Sequence, residues 1–227
     1  MAYSYSKLSL FKQCPHRYKL NYIDKIGIPQ DTSALVKGRN VHSILENYES
    51  FVKEGCKPKE NEQYNESNVA LNFAKSELGN DILSKPSARE YCVKFNANLE
   101  AADNLKQNEC FFIGYIDRIN RTPNGIELID YKTGQYKQPG FQDYMQLAIY
   151  SLYMFSKYPE INEILLRYVY VEHSKENTKL ITRPEVPALR RLILNDIAKI
   201  EAEKEYPKKP HKLCNWCPYK ELCKPNI

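Results

Sequence analysis

Asp117, Asp130 and Lys132 are the residues whose types and spacing most directly suggest chemistry. They flank the turn Thr122-Pro123-Asn124-Gly125, which separates two runs rich in apolar, β-branched and aromatic residues, 110–119 and 126–132. That pattern reads as a β-hairpin. A turn centred between Pro123 and Asn124 sets Asp117 directly opposite Asp130, with Cβ atoms roughly 4.5–5.5 Å apart. Lys132, two residues past Asp130, projects from the same face. Two carboxylates this close repel unless something positive separates them. A divalent cation suits the gap, because Mg²⁺ takes oxygen ligands; it would polarise a phosphoryl oxygen and acidify a bound water. Lys132 would then position or deprotonate that water, or neutralise charge building on the phosphate. The bland alternative is an exposed hairpin on which Asp130 and Lys132 merely flank one another.

Two helical patterns could complete such a site. In 33–53, His42 lies four residues after Gly38 and four before Glu46, so the three share a face, and imidazole suits Mn²⁺. Gln146 and Tyr150 are spaced the same way in 141–157. Taken singly, these residues are better explained as a hydrogen-bonded half-buried histidine and as ordinary helix surface and core. A different chemistry is written at the end of the chain, where Cys214, Cys217 and Cys223 form C-x2-C-x5-C. Three thiols so close suit a soft metal centre, and structural zinc and an iron–sulfur centre both stay open.

Together these pieces resemble the PD-(D/E)XK nuclease superfamily, and more closely its RecB/AddB-like iron–sulfur branch and the nucleases of CRISPR adaptation. The resemblance is carried by Gly38-Arg39-Asn40-Val41-His42 with Leu45-Glu46, Gly114-Tyr115-Ile116-Asp117-Arg118-Ile119, Ile129-Asp130-Tyr131-Lys132-Thr133-Gly134 and Gln146-x-x-x-Tyr150. It implies an α/β restriction-endonuclease-like core, a central mixed β-sheet flanked by helices. It implies that His42, Asp117, Asp130 and the Tyr131 carbonyl hold Mg²⁺ or Mn²⁺, with Lys132 as the catalytic side chain. Gln146 and Tyr150 would support the site and contact DNA, and Glu90 matches a commonly acidic position of unassigned role. The Cys14-Pro15-His16-Arg17-Tyr18 context resembles that of the first cluster cysteine of this branch. Cys14, Cys214, Cys217 and Cys223 would then hold a 4Fe–4S cluster that joins the two chain ends; the competing account is zinc with His211 replacing Cys14.

The elements that must position these groups follow from periodicity. Helices are expected over 6–13 (with Ser6 as N-cap), 33–53, 65–79 (with Gly79 near its end), 141–157 and 186–205, and a polar loop over 59–67. Alternation from Tyr91 to Leu99 predicts a half-buried strand, 163–171 an interior strand, and 178–183 a last one. No repeat or low-complexity linker interrupts the 227 residues, so one nuclease domain is expected, its core over about 30–205 and its clasp from 6–20 and 206–227.

Apolar residues at 42% and charged residues at 27% fit a globular chain. The lack of an 18-residue apolar run excludes a membrane helix, and the N-terminus lacks the features of a secretion signal, so a cytoplasmic location is expected. Seven cysteines, an odd number, argue against a disulfide framework; Cys56, Cys92 and Cys110 read as structural. A net charge of +5 permits a polyanionic partner. Arg17, Lys19, Lys37, Arg39, Lys137 and Lys208-Lys209 are candidates for DNA phosphates, and Tyr136, Tyr144 and Phe141 for stacking unpaired bases. The expected activity is a metal-dependent exonuclease on single-stranded DNA or DNA ends. CRISPR spacer processing, phage recombination with its protein partners, and a non-catalytic DNA-binding iron–sulfur module are the alternatives.

Overall fold

The computed structural model describes residues 2–28, 33–48, 66–123, 125–137, 140 and 144–223. Phe141, Cys56 and the end of the helix expected over 33–53 lie outside them, as does most of the loop expected over 59–67. The described chain opens with helices α1, Tyr5–Gln13, and α2, Ser33–Glu46, with the short helical turns Pro15–Tyr18 and Lys19–Ile23 between them. Ser4, not Ser6, caps α1: its extended backbone lets the hydroxyl accept the Lys7 N–H, while Tyr3 exchanges backbone hydrogen bonds with Phe111 and Ile113. The helix expected over 65–79 is two, α3 (Glu66–Lys75) and α4 (Glu77–Leu83), broken where the Ser76 side chain caps Gly79. Gly79 is therefore inside α4, and a Cβ there would stand 1.9 Å from the Phe73 carbonyl oxygen, so the corner requires glycine.

Five strands follow in spatial order β1 (Ser87–Phe95), β2 (Phe112–Thr122), β3 (Gly125–Lys132), β4 (Glu163–Tyr170) and β5 (Lys175–Thr182). Only β3 and β4 run parallel, because helix α5, Met145–Lys157, crosses between them. β1 ends at Phe95, short of the expected Leu99, which turns into a left-handed conformation. Helix α6, Val186–Ala202, closes the core, three residues shorter than its pattern suggested.

Two apolar layers sandwich this mixed sheet. On one face Val93, Phe112, Ile116, Leu128 and Leu166 pack against Leu8 of α1, Leu147 and Leu152 of α5, and Ile193 and Ile197 of α6. On the other, Ile129, Tyr131 and Val169 pack against Val41 and Leu45 of α2, Phe73 of α3 and Ile82 of α4. α5 is buried nearly all round, which explains an apolar content too high for a surface helix. Among the described residues, no helix is long and apolar enough to cross a membrane.

Candidate metal and catalytic site

The hairpin register matches the one the turn implied: Thr122 pairs with Gly125 and Arg118 with Ile129, and the next step would pair Asp117 with Asp130. That pair is not formed. The ladder opens there, and the Asp117 carboxylate itself accepts the Tyr131 N–H at 2.8 Å. β1 opens at the same row. Arg89 pairs with Arg118 and Tyr91 with Ile116, while Glu90, opposite Asp117, takes a left-handed backbone with φ of 44°. Three acidic residues thus stand in line across three strands where backbone pairing lapses. The line continues through the parallel pair Asp130–Tyr168, at the carboxyl end of β3, where open α/β sheets commonly bind ligands.

His42 arrives from the opposite helical layer. Its Nε2 donates to the Tyr131 carbonyl at 2.8 Å and its Nδ1 lies 3.4 Å from Asp117 Oδ2. Close packing of α2 sets this position. A Cβ on Gly38 would meet Thr133 Oγ1 at 3.2 Å, so a larger residue would push the helix away from the strand end that carries Lys132. One potential ligand atom from each of His42, Glu90 and Asp117 lies within 4.8 Å of the others, the sole such set of metal-binding groups among the described residues. Glu90 was legible only through resemblance; its departure from strand geometry could not be read in the alternating pattern.

Asp130 is buried beside Lys132, and the two side chains form an ion pair. The Lys132 ammonium lies 5.1 Å from the Tyr168 ring centroid, a cation–π contact that fixes its direction. Gln146 and Tyr150 come from α5 beneath: Gln146 hydrogen-bonds the Tyr150 hydroxyl, which also takes the Tyr115 N–H. Gly114 makes room for this tyrosine, since a Cβ there would sit 2.2 Å from its ring.

The electrostatics match a cationic guest. Burial, and then the neighbouring Asp130, push the Asp117 carboxyl well above the usual carboxylate range. Burial and the nearby Glu46 raise Glu90 too. Burial lowers His42, favouring the neutral imidazole that can ligate a metal. Burial also acts to lower Lys132, but the Asp130 carboxylate outweighs it and the ammonium is held above its ordinary value. Two carboxylates that resist ionisation, Asp117 and Glu90, joined by a neutral imidazole, fit a hard divalent cation.

Other expected contacts lie elsewhere. Arg39 is exposed on α2, and Arg17 lines a separate cavity with the cysteines. Tyr136 and Tyr144 engage the protein itself: their hydroxyls bond Asn177 and the Thr178 carbonyl, and their rings pack edge-on against Tyr170 and Tyr168. At the chain ends, Cys14, Cys214, Cys217 and Cys223 all line one cavity of about 370 Å³, each as a free thiol.

A family model described as the PD-(D/E)XK nuclease superfamily matches residues 2–224. A search of curated proteins finds no match. Among solved structures, a Eubacterium rectale protein provisionally described as an exonuclease superposes with a TM-score of 0.55 at 12% identity, over 95% of this chain and 92% of that one. The protein SSO0001 is 16% identical over 100% of this chain and 87% of its own, with a TM-score of 0.44. The first likeness speaks to the fold alone. Nearly the whole sequence fits the family model, and this chain belongs to the PD-(D/E)XK nuclease superfamily.

Proposed function

We propose that this chain is a metal-dependent deoxyribonuclease acting as an exonuclease on single-stranded DNA or DNA ends. The observation that carries the reading is the convergence of His42, Glu90, Asp117 and Asp130 beside Lys132, where both neighbouring ladders open. His42, Asp117, Asp130 and the Tyr131 carbonyl would hold Mg²⁺ or Mn²⁺, with Glu90 as a further acidic donor. When bound, such an ion supplies Lewis-acid polarisation of the scissile phosphate and makes water more acidic. Lys132, steered by Asp130 and the Tyr168 ring, stabilises the negative charge that builds on the phosphate; its raised proton affinity favours this role over that of a base. Gln146 and Tyr150 brace Asp130 from below and keep the strand end aligned. The sequence offers no helix-turn-helix or zinc-finger reader, which supports cutting governed by ends and strandedness.

The same proposal assigns Cys14, Cys214, Cys217 and Cys223 to a 4Fe–4S cluster clasping the chain ends, in one nuclease domain of the RecB/AddB-like branch. Four free thiols around one cavity support it. Tetrahedral zinc, with Zn–S near 2.3 Å, would need sulfurs only about 3.8 Å apart. A cluster giving each thiolate its own iron does not demand that approach. His211 Nδ1 already accepts the Leu213 N–H at 3.2 Å, which weakens the case for His211 as a zinc ligand.

The decisive experiment uses end-labelled single- and double-stranded DNA with Mn²⁺ or Mg²⁺, blocked at one end or the other, beside Lys132→Ala. Cation-dependent loss of nucleotides from an open end, abolished in the variant, is the expected result. Equal cleavage by the variant would refute the mechanism. Binding without cleavage by either protein would favour the non-catalytic module.

A further inference from the structure

The clasp segments 6–20 and 206–227 hold nine Lys and Arg against one acidic residue, Glu221. Their net +8 exceeds the +5 of the whole chain, so the sequence between them is net acidic. The clasp is therefore the cationic end of the molecule. On it stands Trp216, the only tryptophan, with 76% of its surface exposed. It ends the 3₁₀ turn Lys212–Trp216, between Cys214 and Cys217. Leu213, three residues earlier, is 52% exposed and shares its ridge, since residues i and i+3 eclipse in a 3₁₀ turn. An indole so exposed adds little to the core, and it is not among the residues lining the cavity of the thiols. Lys212 and Lys220 beside it are exposed and make no ion pair with a described residue.

An apolar surface ringed by unneutralised lysines is complementary to a polyanion that also offers flat apolar faces. We propose that Trp216 is a stacking platform for an unpaired base of a DNA strand, extended by Leu213, with Lys212 and Lys220 on the flanking phosphates. This rests on the nuclease reading above and adds where the strand is held. The fold supports the placement. α1 begins at Tyr5, within electrostatic reach of Lys132 and Tyr168, and ends at Cys14 on the cluster cavity. Its nine residues span about 13.5 Å at 1.5 Å each. At a rise of about 3.4 Å per nucleotide, that is about four nucleotides. A strand whose end enters the carboxylate site can thus rest its flank on the clasp.

The test uses cluster-loaded protein carrying Lys132→Ala, so that DNA is not consumed. A fluorophore-labelled oligothymidine and a blunt duplex of equal length are titrated by anisotropy, with and without Trp216→Ala. Single-strand affinity should fall about tenfold or more and duplex affinity less than twofold, with an unchanged thermal midpoint. Trp216→Tyr should keep most of the affinity, and Lys212→Glu with Lys220→Glu should flatten its salt dependence. Unchanged single-strand affinity in Trp216→Ala would overturn the proposal and leave a protein-docking surface in its place; equal loss for both DNA forms would overturn it too. Absence of cleavage by the unmutated protein, with the Trp216 effect intact, would refute the nuclease reading and leave the platform standing.

Discussion

The carboxylate cluster and the cysteine clasp are both places where distant parts of the chain meet, but they are held in opposite ways. At the cluster, sheet and helix packing do the positioning. Asp117, Asp130 and Tyr131 sit on adjacent strands whose neighbours Ile116, Ile129 and Leu128 are fully buried, and the functional groups oppose one another electrostatically. At the clasp the framework is thin. Among the described residues, polar ties between the ends include the His16 N–H to the Pro207 carbonyl, the Lys209 ammonium to the Lys12 carbonyl and the Tyr219 hydroxyl, alongside the Phe11, Tyr18 and Tyr206 rings. A strong framework can tolerate repulsive ligands; a weak one draws stability from its ligands. The cluster should therefore lose function before fold when altered, and the clasp fold before function.

Lys132→Ala should produce the largest effect. Loss of the ammonium from beside the scissile phosphate should lower the cleavage rate by about a thousandfold, equivalent to about 4 kcal/mol. The Mn²⁺-loaded variant should unfold within a few degrees of the parent. The comparison breaks if that variant unfolds far below the parent with the cation in place. Cys217→Ser comes next and tests the other half. Where metal binding is folding free energy, losing one thiolate should release the cluster and destabilise the protein by about 3 kcal/mol or more. Loss of the brown absorbance and a lower midpoint, with any surviving folded protein still able to cut, is the expected pattern. Full stability without colour would show that the clasp does not lean on its thiols.

This division explains what could be read in the sequence. Alternation and turn chemistry placed the hairpin and its register from Thr122–Gly125 to Arg118–Ile129, but not the opening of the ladder one step on, where Asp117 turns to the Tyr131 N–H instead of pairing with Asp130. The helix expected over 65–79 failed because its apolar spacing continues through Ser76; only the contact of Gly79 with the Phe73 carbonyl reveals a corner. Glu90 was obscure for a similar reason. Alternation says which face a residue occupies, not that one residue will turn left-handed and leave its ladder. The cysteine spacing suggested a metal centre but gave no sign of Trp216, because exposure of one large ring is a property of the folded surface.

Asp117→Asn should act on the cluster in the unusual direction. The raised carboxyl means that the native state holds this proton more tightly than the unfolded chain does. Stability is then lost as pH rises from the ordinary carboxylate value through the raised one, and the cost is complete above it. Each pH unit of difference corresponds to about 1.4 kcal/mol. The neutral amide should remove that cost, so the metal-free variant melts a few degrees above the metal-free parent near pH 7. Mn²⁺ should raise the parent's midpoint and leave the variant's nearly unchanged. If both proteins respond equally to Mn²⁺, Asp117 does not hold the cation.

Tyr219→Phe should give the smallest change and probes the clasp without touching a thiol. The phenol is 3% exposed, and its hydroxyl proton is shared between Asn21 Oδ1 at 3.0 Å and the Ile26 carbonyl at 3.1 Å, about two hundred residues away in sequence. Removing it leaves the ring packed but two acceptors short of a donor, a loss of about 1 kcal/mol. With the cluster present, that loss should appear as faster amide exchange confined to 206–223 and 15–26, while the Tyr131 amide beneath Asp117 keeps its protection. With the cluster removed, the same substitution should matter more, because the hydroxyl is then one of the few remaining ties. A deficit of the same size in both states would mean that thiols and tyrosine secure the ends independently. A larger deficit without the cluster would mean that they share one opening reaction, as expected of a thin framework that its ligand completes.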